Sequence, residues 1–234
     1  MKIIAGNWKM NGTRAALDEM LGAIAGVKTE NKVVLCVPFT MLCAGNDVAA
    51  IGAQDISANV RGAYTGEVSG VMIAETGAKY VIVGHSERRM YHDETNDIVR
   101  AKATRALESG LTPIICVGET MDEKRAGKTF DVITADVRES VPSDVRDDII
   151  IAYEPRWAIG AGITPTTQEI ADAHKVIADT LAYMGLSGTP ILYGASVNAG
   201  NVADIVAIEN VGGVLVGGAS LKPQEFIPII ENVK

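Results

Sequence analysis

Eight short runs of apolar and β-branched residues recur along this 234-residue chain, and between them the pattern changes to helical spacing. The runs cover residues 3–5, 33–37, 51–53, 80–83, 112–117, 149–153, 190–193 and 213–216. Most are almost continuously apolar, as parallel strands covered on both faces are. A helical segment fits after each, most plainly over 14–27, 96–109, 130–140 and 168–184. Thr167, with Ile170 and Ala171 behind it, reads as a helix start, and Gly185 as a stop. Ser69 is placed to cap a short helix, and Pro223 to open the last one. Strict strand–helix alternation requires a parallel sheet. Open doubly wound sheets and closed barrels share that rhythm. Eight repeats without a linker or a second unit favour an α/β barrel, expected as one domain over residues 1–234.

Composition narrows the partners. Hydrophobic residues make up 47%, enough for a large core, and charged residues 21%, too few for a disordered chain. The net charge is −8, so no basic surface invites nucleic acid or an acidic membrane. Positive potential for an anionic substrate must therefore be built locally. Cys36, Cys43 and Cys116 have neither disulfide nor zinc spacing, and Cys36 and Cys116 lie in apolar runs that predict burial. No run approaches a membrane span, and the first ten residues do not read as a signal peptide. A cytoplasmic protein is expected.

In barrels of parallel strands the chemistry gathers where the strands end. The first run leads into Asn7-Trp8-Lys9-Met10-Asn11-Gly12, and the fourth into Gly84-His85-Ser86-Glu87-Arg88-Arg89. Taken alone, Lys9 reads as a solvated lysine, and Arg88 and Arg89 as members of a loop salt-bridge network. The sixth run ends in Tyr153-Glu154-Pro155-Arg156-Trp157-Ala158-Ile159-Gly160-Ala161-Gly162. A carboxylate there is partly desolvated, which suits a general base, although a structural carboxylate fits the same position. Gly194-Ala195-Ser196 and Gly217-Gly218 follow the last two runs, where backbone N–H groups can approach a phosphate.

The segments AGNWKMNG, GAYTGE, YVIVGHSERR, CVGE, YEPRWAIGAG and YGASV, in this order and completed by the Gly-Gly pair, resemble the triosephosphate isomerase family along essentially the whole chain. The resemblance implies a single (β/α)8 TIM barrel. It also implies isomerisation of dihydroxyacetone phosphate and D-glyceraldehyde 3-phosphate through an enediolate, in glycolysis and gluconeogenesis, with no metal or organic cofactor. It casts Glu154 as the base, His85 as the electrophile, Lys9 as the ammonium that steadies the enediolate, Asn7 as a substrate contact and Glu87 as a carboxylate near Lys9 and His85. This division of labour is the family's own, carried over rather than derived. Gly160, Ser196, Gly217 and Gly218 match phosphate donors. Pro155, Arg156, Trp157, Ala158, Ile159, Gly160, Ala161, Gly162 and Ile163 match the mobile loop. Glu119 matches a contact of Trp157, and Tyr193 a latch of that loop. Thr65 matches the tip of a loop that enters a second subunit, which implies a homodimer.

Some positions depart from the family pattern. Ala195 replaces a glycine, and if its φ were positive it would carry a strain of about 1 kcal/mol. Arg156 stands where an apolar hinge residue is common, and Ala161 and Ile163 replace a threonine and a lysine. His92 and His174 are expected on solvated faces. Isomerisation of a four-carbon sugar phosphate on the same scaffold, and a non-catalytic sugar-phosphate-binding protein, are the competing readings. The first would use the same base and electrophile. The second would not need Lys9, His85 and Glu154 together.

Overall fold

The computed structural model describes residues 1–42, 48–145, 148–159 and 163–234. In chain order its elements are β1 (Ile3–Asn7), α1 (Arg14–Ala25), β2 (Lys32–Cys36), β3 (Ala50–Ala53), α2 (Gly70–Glu75), β4 (Tyr80–Val83), α3 (Ser86–Tyr91) and α4 (Asn96–Glu108). Then follow β5 (Thr112–Val117), α5 (Met121–Arg125), α6 (Thr129–Ser140), β6 (Ile150–Tyr153), α7 (Thr167–Tyr183), β7 (Ile191–Tyr193), α8 (Val202–Val206), β8 (Gly213–Val216) and α9 (Pro223–Asn232). The strands close in sequence order into a parallel barrel. β1 completes the circle, with Ile4 opposite Val33 of β2 on one side and Val214 of β8 on the other. The open doubly wound alternative is thereby excluded.

Alternate residues of each strand separate two cores. Ala5, Val34, Cys36, Ile82, Ile114, Cys116, Ala152, Leu192 and Leu215 fill the barrel interior. Their neighbours, such as Ile4, Leu35, Val81, Ile115 and Ile151, face the helices. The two described cysteines are buried, and burial pushes the Cys36 thiol up to about 12 and Cys116 well above its ordinary value. Cys43 lies outside the described residues. Among the described residues, no cluster of side chains has metal-binding composition, and no helix is long and apolar enough to cross a membrane.

Local chemistry sets the helix ends, with shifts of a few residues from the sequence reading. Ser69 caps α2 and Pro223 opens α9 as expected. The start of α7 is capped by Thr166, not Thr167: the Thr166 hydroxyl takes the Glu169 N–H while Glu169 reaches back to Thr166. Gly185 follows that helix at φ +80°.

His174 corrects the sequence reading. It is 0% exposed, because it shares the inward stripe of α7 with Ile170, Ala173, Ile177 and Leu181. Its ring meets Tyr153 edge-on, and Nδ1 lies 3.3 Å from the Asn210 carbonyl oxygen. Burial pushes its pKa down to about 4. His92 is exposed, as expected.

Candidate active site

Three strand ends deliver the polar groups. At the end of β1, Asn7 is buried and its side-chain oxygen accepts the Lys9 N–H at 3.0 Å. That bond accompanies a left-handed backbone at Lys9, φ +52°, a conformation uncommon for a non-glycine residue and costing about 1–3 kcal/mol. It sends the ammonium toward β4, where Nζ lies 2.7 Å from Glu87 Oε1.

At the end of β4, His85 caps α3, and its Nδ1 accepts the Glu87 N–H at 3.2 Å. An accepting Nδ1 fixes the neutral tautomer with its proton on Nε2. Nε2 lies 3.0 Å from Glu154 Oε1. Burial resists a charged imidazole, while Glu154 and then Glu87 pull the His85 pKa above its ordinary value. The Nδ1 contact is built into the start of α3 and favours the neutral ring against the pull of the two carboxylates.

Glu154, at the end of β6, is 3% exposed. Its Oε2 accepts the Ser86 N–H at 3.1 Å. Burial favours the protonated acid, but His85, the Ser86 N–H and Lys9 outweigh it and hold the carboxyl below its ordinary value.

A neutral lattice braces α3 from behind. Arg88 bonds Asp55 and Glu94, and Lys102 bonds the same two carboxylates. Arg89 donates to the Gly84 and Cys116 carbonyls and to Asn96. The salt-bridge reading therefore holds for Arg88, whereas Arg89 bonds neutral acceptors instead, and together they fix the turn carrying His85.

These groups face a pocket of about 280 Å³. Asn7, Lys9, His85 and Glu154 line it together with Ser196, Gly217 and Gly218, and Ile159 and Leu215 add apolar lining. A Cβ on Gly194 would come within 3.1 Å of Glu154 Cγ, so that position leaves room for the carboxylate. A Cβ on Gly218 would meet nothing within 4 Å, so the space beside it is open. Ala195 is not among the residues at positive φ, and the strain feared for it is absent. Ser196 takes the left-handed backbone instead, at φ +28°.

The segment after Glu154 starts with a short turn, Arg156–Ala158. Trp157 donates to Glu119 Oε1 at 2.8 Å, and Arg156 pairs with Asp136 at 3.0 Å. The Ser196 hydroxyl donates to the Ile163 carbonyl at 3.4 Å. The Tyr193 hydroxyl is buried without a partner among the described residues. Gly160, Ala161 and Gly162 lie outside the described residues. Thr65 does not line this pocket and sits on the exposed loop 62–67.

Sequence reasoning missed Ser86 as a donor to Glu154, Asp136 as the anchor of Arg156, and Leu215 and Val197 as pocket lining. Ser86 was legible in principle, since it follows the histidine in the same motif. Asp136 was not, because it comes from the middle of α6.

A family model described as "Triosephosphate isomerase" matches residues 2–233. A triosephosphate isomerase of Ruegeria pomeroyi is 47% identical over 245 aligned positions, covering 100% of this chain and 97% of that protein. One from Hyphomonas neptunium is 46% identical, covering 97% and 96%. The crystal structure of triosephosphate isomerase from Bartonella henselae superposes with a TM-score of 0.91 at 39% identity, covering 99% of this chain and 98% of that one.

Proposed function

The chain belongs to the triosephosphate isomerase family, and from that premise we propose that it interconverts dihydroxyacetone phosphate and D-glyceraldehyde 3-phosphate in glycolysis and gluconeogenesis, acting as one catalytic domain over residues 1–234. The observation that carries the site assignment is the convergence of Glu154 and His85 at 3.0 Å in a pocket also lined by Ser196, Gly217 and Gly218.

The reaction moves one proton between adjacent carbons and one between their oxygens. Glu154 takes the proton from the carbon beside the carbonyl, the C–H electrons form the enediolate, and the carboxylic acid returns a proton to the neighbouring carbon. His85 gives its Nε2 proton to the carbonyl oxygen and takes the proton of the neighbouring hydroxyl in return, while the Lys9 ammonium offsets the developing negative charge. Asn7 positions Lys9 through the 3.0 Å bond to its N–H. Glu87 takes the Lys9 ammonium in the resting site. For both to act, Glu154 must first release His85 and Ser86. The phosphate provides the driving force, bound by backbone and hydroxyl donors at Ser196, Gly217 and Gly218, together with Gly160. Pro155, Arg156, Trp157, Ala158, Ile159, Gly160, Ala161, Gly162 and Ile163 form the segment we assign to covering the site. In support, Ile159 lines the pocket and the Ile163 carbonyl accepts from Ser196. The proton bookkeeping closes on protein groups alone.

A homodimer in the cytoplasm completes the reading. A second cavity of about 490 Å³ shares Asn7, Lys9 and His85 with the first and is lined by Met10, Phe39 and Tyr91. Met10 is 95% exposed and Tyr91 71%, the loop bearing Thr65 exposes Tyr64, and Val60 just before that loop is exposed as well. An apolar rim beside the site and an apolar projecting loop are complementary parts of a two-fold interface.

The test is turnover of D-glyceraldehyde 3-phosphate beside that of a four-carbon aldose phosphate, with Glu154→Gln as control. Glu154-dependent turnover of the triose by a wide margin is expected. Preference for the four-carbon substrate would reassign the pathway, and no turnover of either would overturn the enzyme reading.

A further inference from the structure

The residue that ties the segment after Glu154 to the rest of the barrel lies outside the pocket. Helix α5 is only five residues long, but a capping box between Thr120 and Glu123 fixes its start. It presents Lys124 to two partners at once. The Lys124 ammonium sits 3.5 Å from the centroid of the Trp157 ring, and the same nitrogen lies 2.5 Å from Glu169 Oε1. Neither partner is loosely held. Trp157 is gripped at its edge by Glu119, immediately before α5. Glu169 has its other oxygen committed to the Thr166 N–H at 2.8 Å and to the Thr166 hydroxyl at 3.0 Å. One ammonium thus joins the indole three residues after Glu154 to the first turn of α7.

We propose that Lys124 is a positioning residue for Glu154: it clasps the Arg156–Ala158 turn between α5 and α7, so that the glutamate is presented to the pocket from one backbone setting. This rests on the isomerase reading of the site. The geometry fits positioning better than substrate steering, because Lys124 does not line the pocket and its charge is already shared between Glu169 and the indole face. A cation–π contact and a half-exposed ion pair are each modest, and together they are worth about five- to tenfold in a rate. Of the proposed phosphate donors, Ser196, Gly217 and Gly218 belong to the loops after β7 and β8, which Lys124 does not touch, and Gly160 alone follows the clasped turn in sequence. Losing the clasp should therefore lower kcat and leave KM nearly unchanged.

The experiment uses the full chain labelled with 5-fluorotryptophan. The protein has two tryptophans, so fluorine NMR gives two resonances, assigned with Trp157→Phe. Lys124→Met should move the Trp157 resonance and lower kcat about five- to tenfold, with KM within about twofold. Lys124→Arg keeps the charge, the π contact and the ion pair, and should restore both readouts. Glu169→Gln removes half of the clasp while a glutamine still closes the capping box, and should give a smaller loss of the same kind. It carries the test if Lys124→Met does not fold. An unmoved Trp157 resonance, a rise in KM alone, or a kcat loss that arginine does not restore would each overturn the proposal. If the unaltered protein turns over neither sugar phosphate, the isomerase reading fails by itself, and the fluorine resonance still decides whether the clasp exists.

Discussion

Glu154 Oε1 lies 3.0 Å from His85 Nε2, so the proposed base and the proposed electrophile are bonded to each other across the resting site. The carboxylate is thereby kept ionised in a nearly water-free place, with the Ser86 N–H as its second donor. Replacing Glu154 by Gln removes the base but keeps the shape and one acceptor. Turnover should fall by about a thousandfold while the melting temperature changes little.

The direction of the Glu154 shift also sets a pH profile. Its pKa is held below the ordinary 4.5, so the base stays ionised throughout the neutral and mildly acidic range. A phosphate monoester dianion takes up a proton near pH 6. The acid limb of kcat/KM should therefore report the substrate phosphate and His85, whose pKa the two carboxylates raise, and not Glu154; a substrate with a non-titrating sulfonate should keep only the His85 part of that limb.

Lys9 occupies a left-handed backbone to bring its ammonium to Glu87 and to the pocket. Lys9→Met keeps most of the volume and loses the charge. We expect kcat/KM to drop about 100- to 1,000-fold, as for the loss of one transition-state donor, with thermal stability nearly unchanged because Glu87 stays partly hydrated.

His174 gives a stability prediction independent of catalysis. Burial lowers its folded pKa to about 4, the Asn210 carbonyl opposes that shift and the Lys2 ammonium adds to it. The unfolded chain takes up the proton near pH 6.5 and the folded protein does not. Stability is therefore unaffected by this group above pH 6.5 and falls as pH drops from 6.5 toward 4, by about 3 kcal/mol in all. Denaturant titrations across that range should show the slope, and His174→Asn should flatten it even though the substitution lowers stability overall.

Ala195→Gly tests the finding that Ala195 sits outside the left-handed region. An alanine without strain stabilises relative to glycine by restricting the unfolded chain. The glycine variant should thus be less stable by about 0.4–1 kcal/mol in chemical denaturation. A gain in stability would mean that Ala195 is strained after all.

For the proposed dimer, Thr65→Asp places a charge at the loop tip. Sedimentation of the unaltered protein should give twice the chain mass, and the variant should shift toward the monomer. A monomeric unaltered protein would remove the basis for that assembly.

Much of this was legible in the chain itself. The eight apolar runs mark the strands because parallel strands buried on both faces tolerate little else. Asn7, His85 and Glu154 could be singled out because each stands within two residues of the end of such a run, where a barrel presents its loops. Ser69 and Pro223 act as a cap and a first-turn proline because those effects are local, confined to one turn of helix.

What the sequence could not decide depends on distance between elements. Only the barrel's closure brings Lys9 to Glu87 and Glu154 to His85, and only then do the carboxylates acquire their partners and their altered pKa values. The burial of His174 depends on which face of α7 the barrel covers, and a single polar residue in that stripe gave no sign of it. The backbone at Ala195 and Ser196 is set by what packs around the turn, since the residues alone allow either sign of φ. Short-range rules fixed where strands and helices begin. Tertiary packing decided the charge states and the pairing, because those energies depend on neighbours that sequence position does not place.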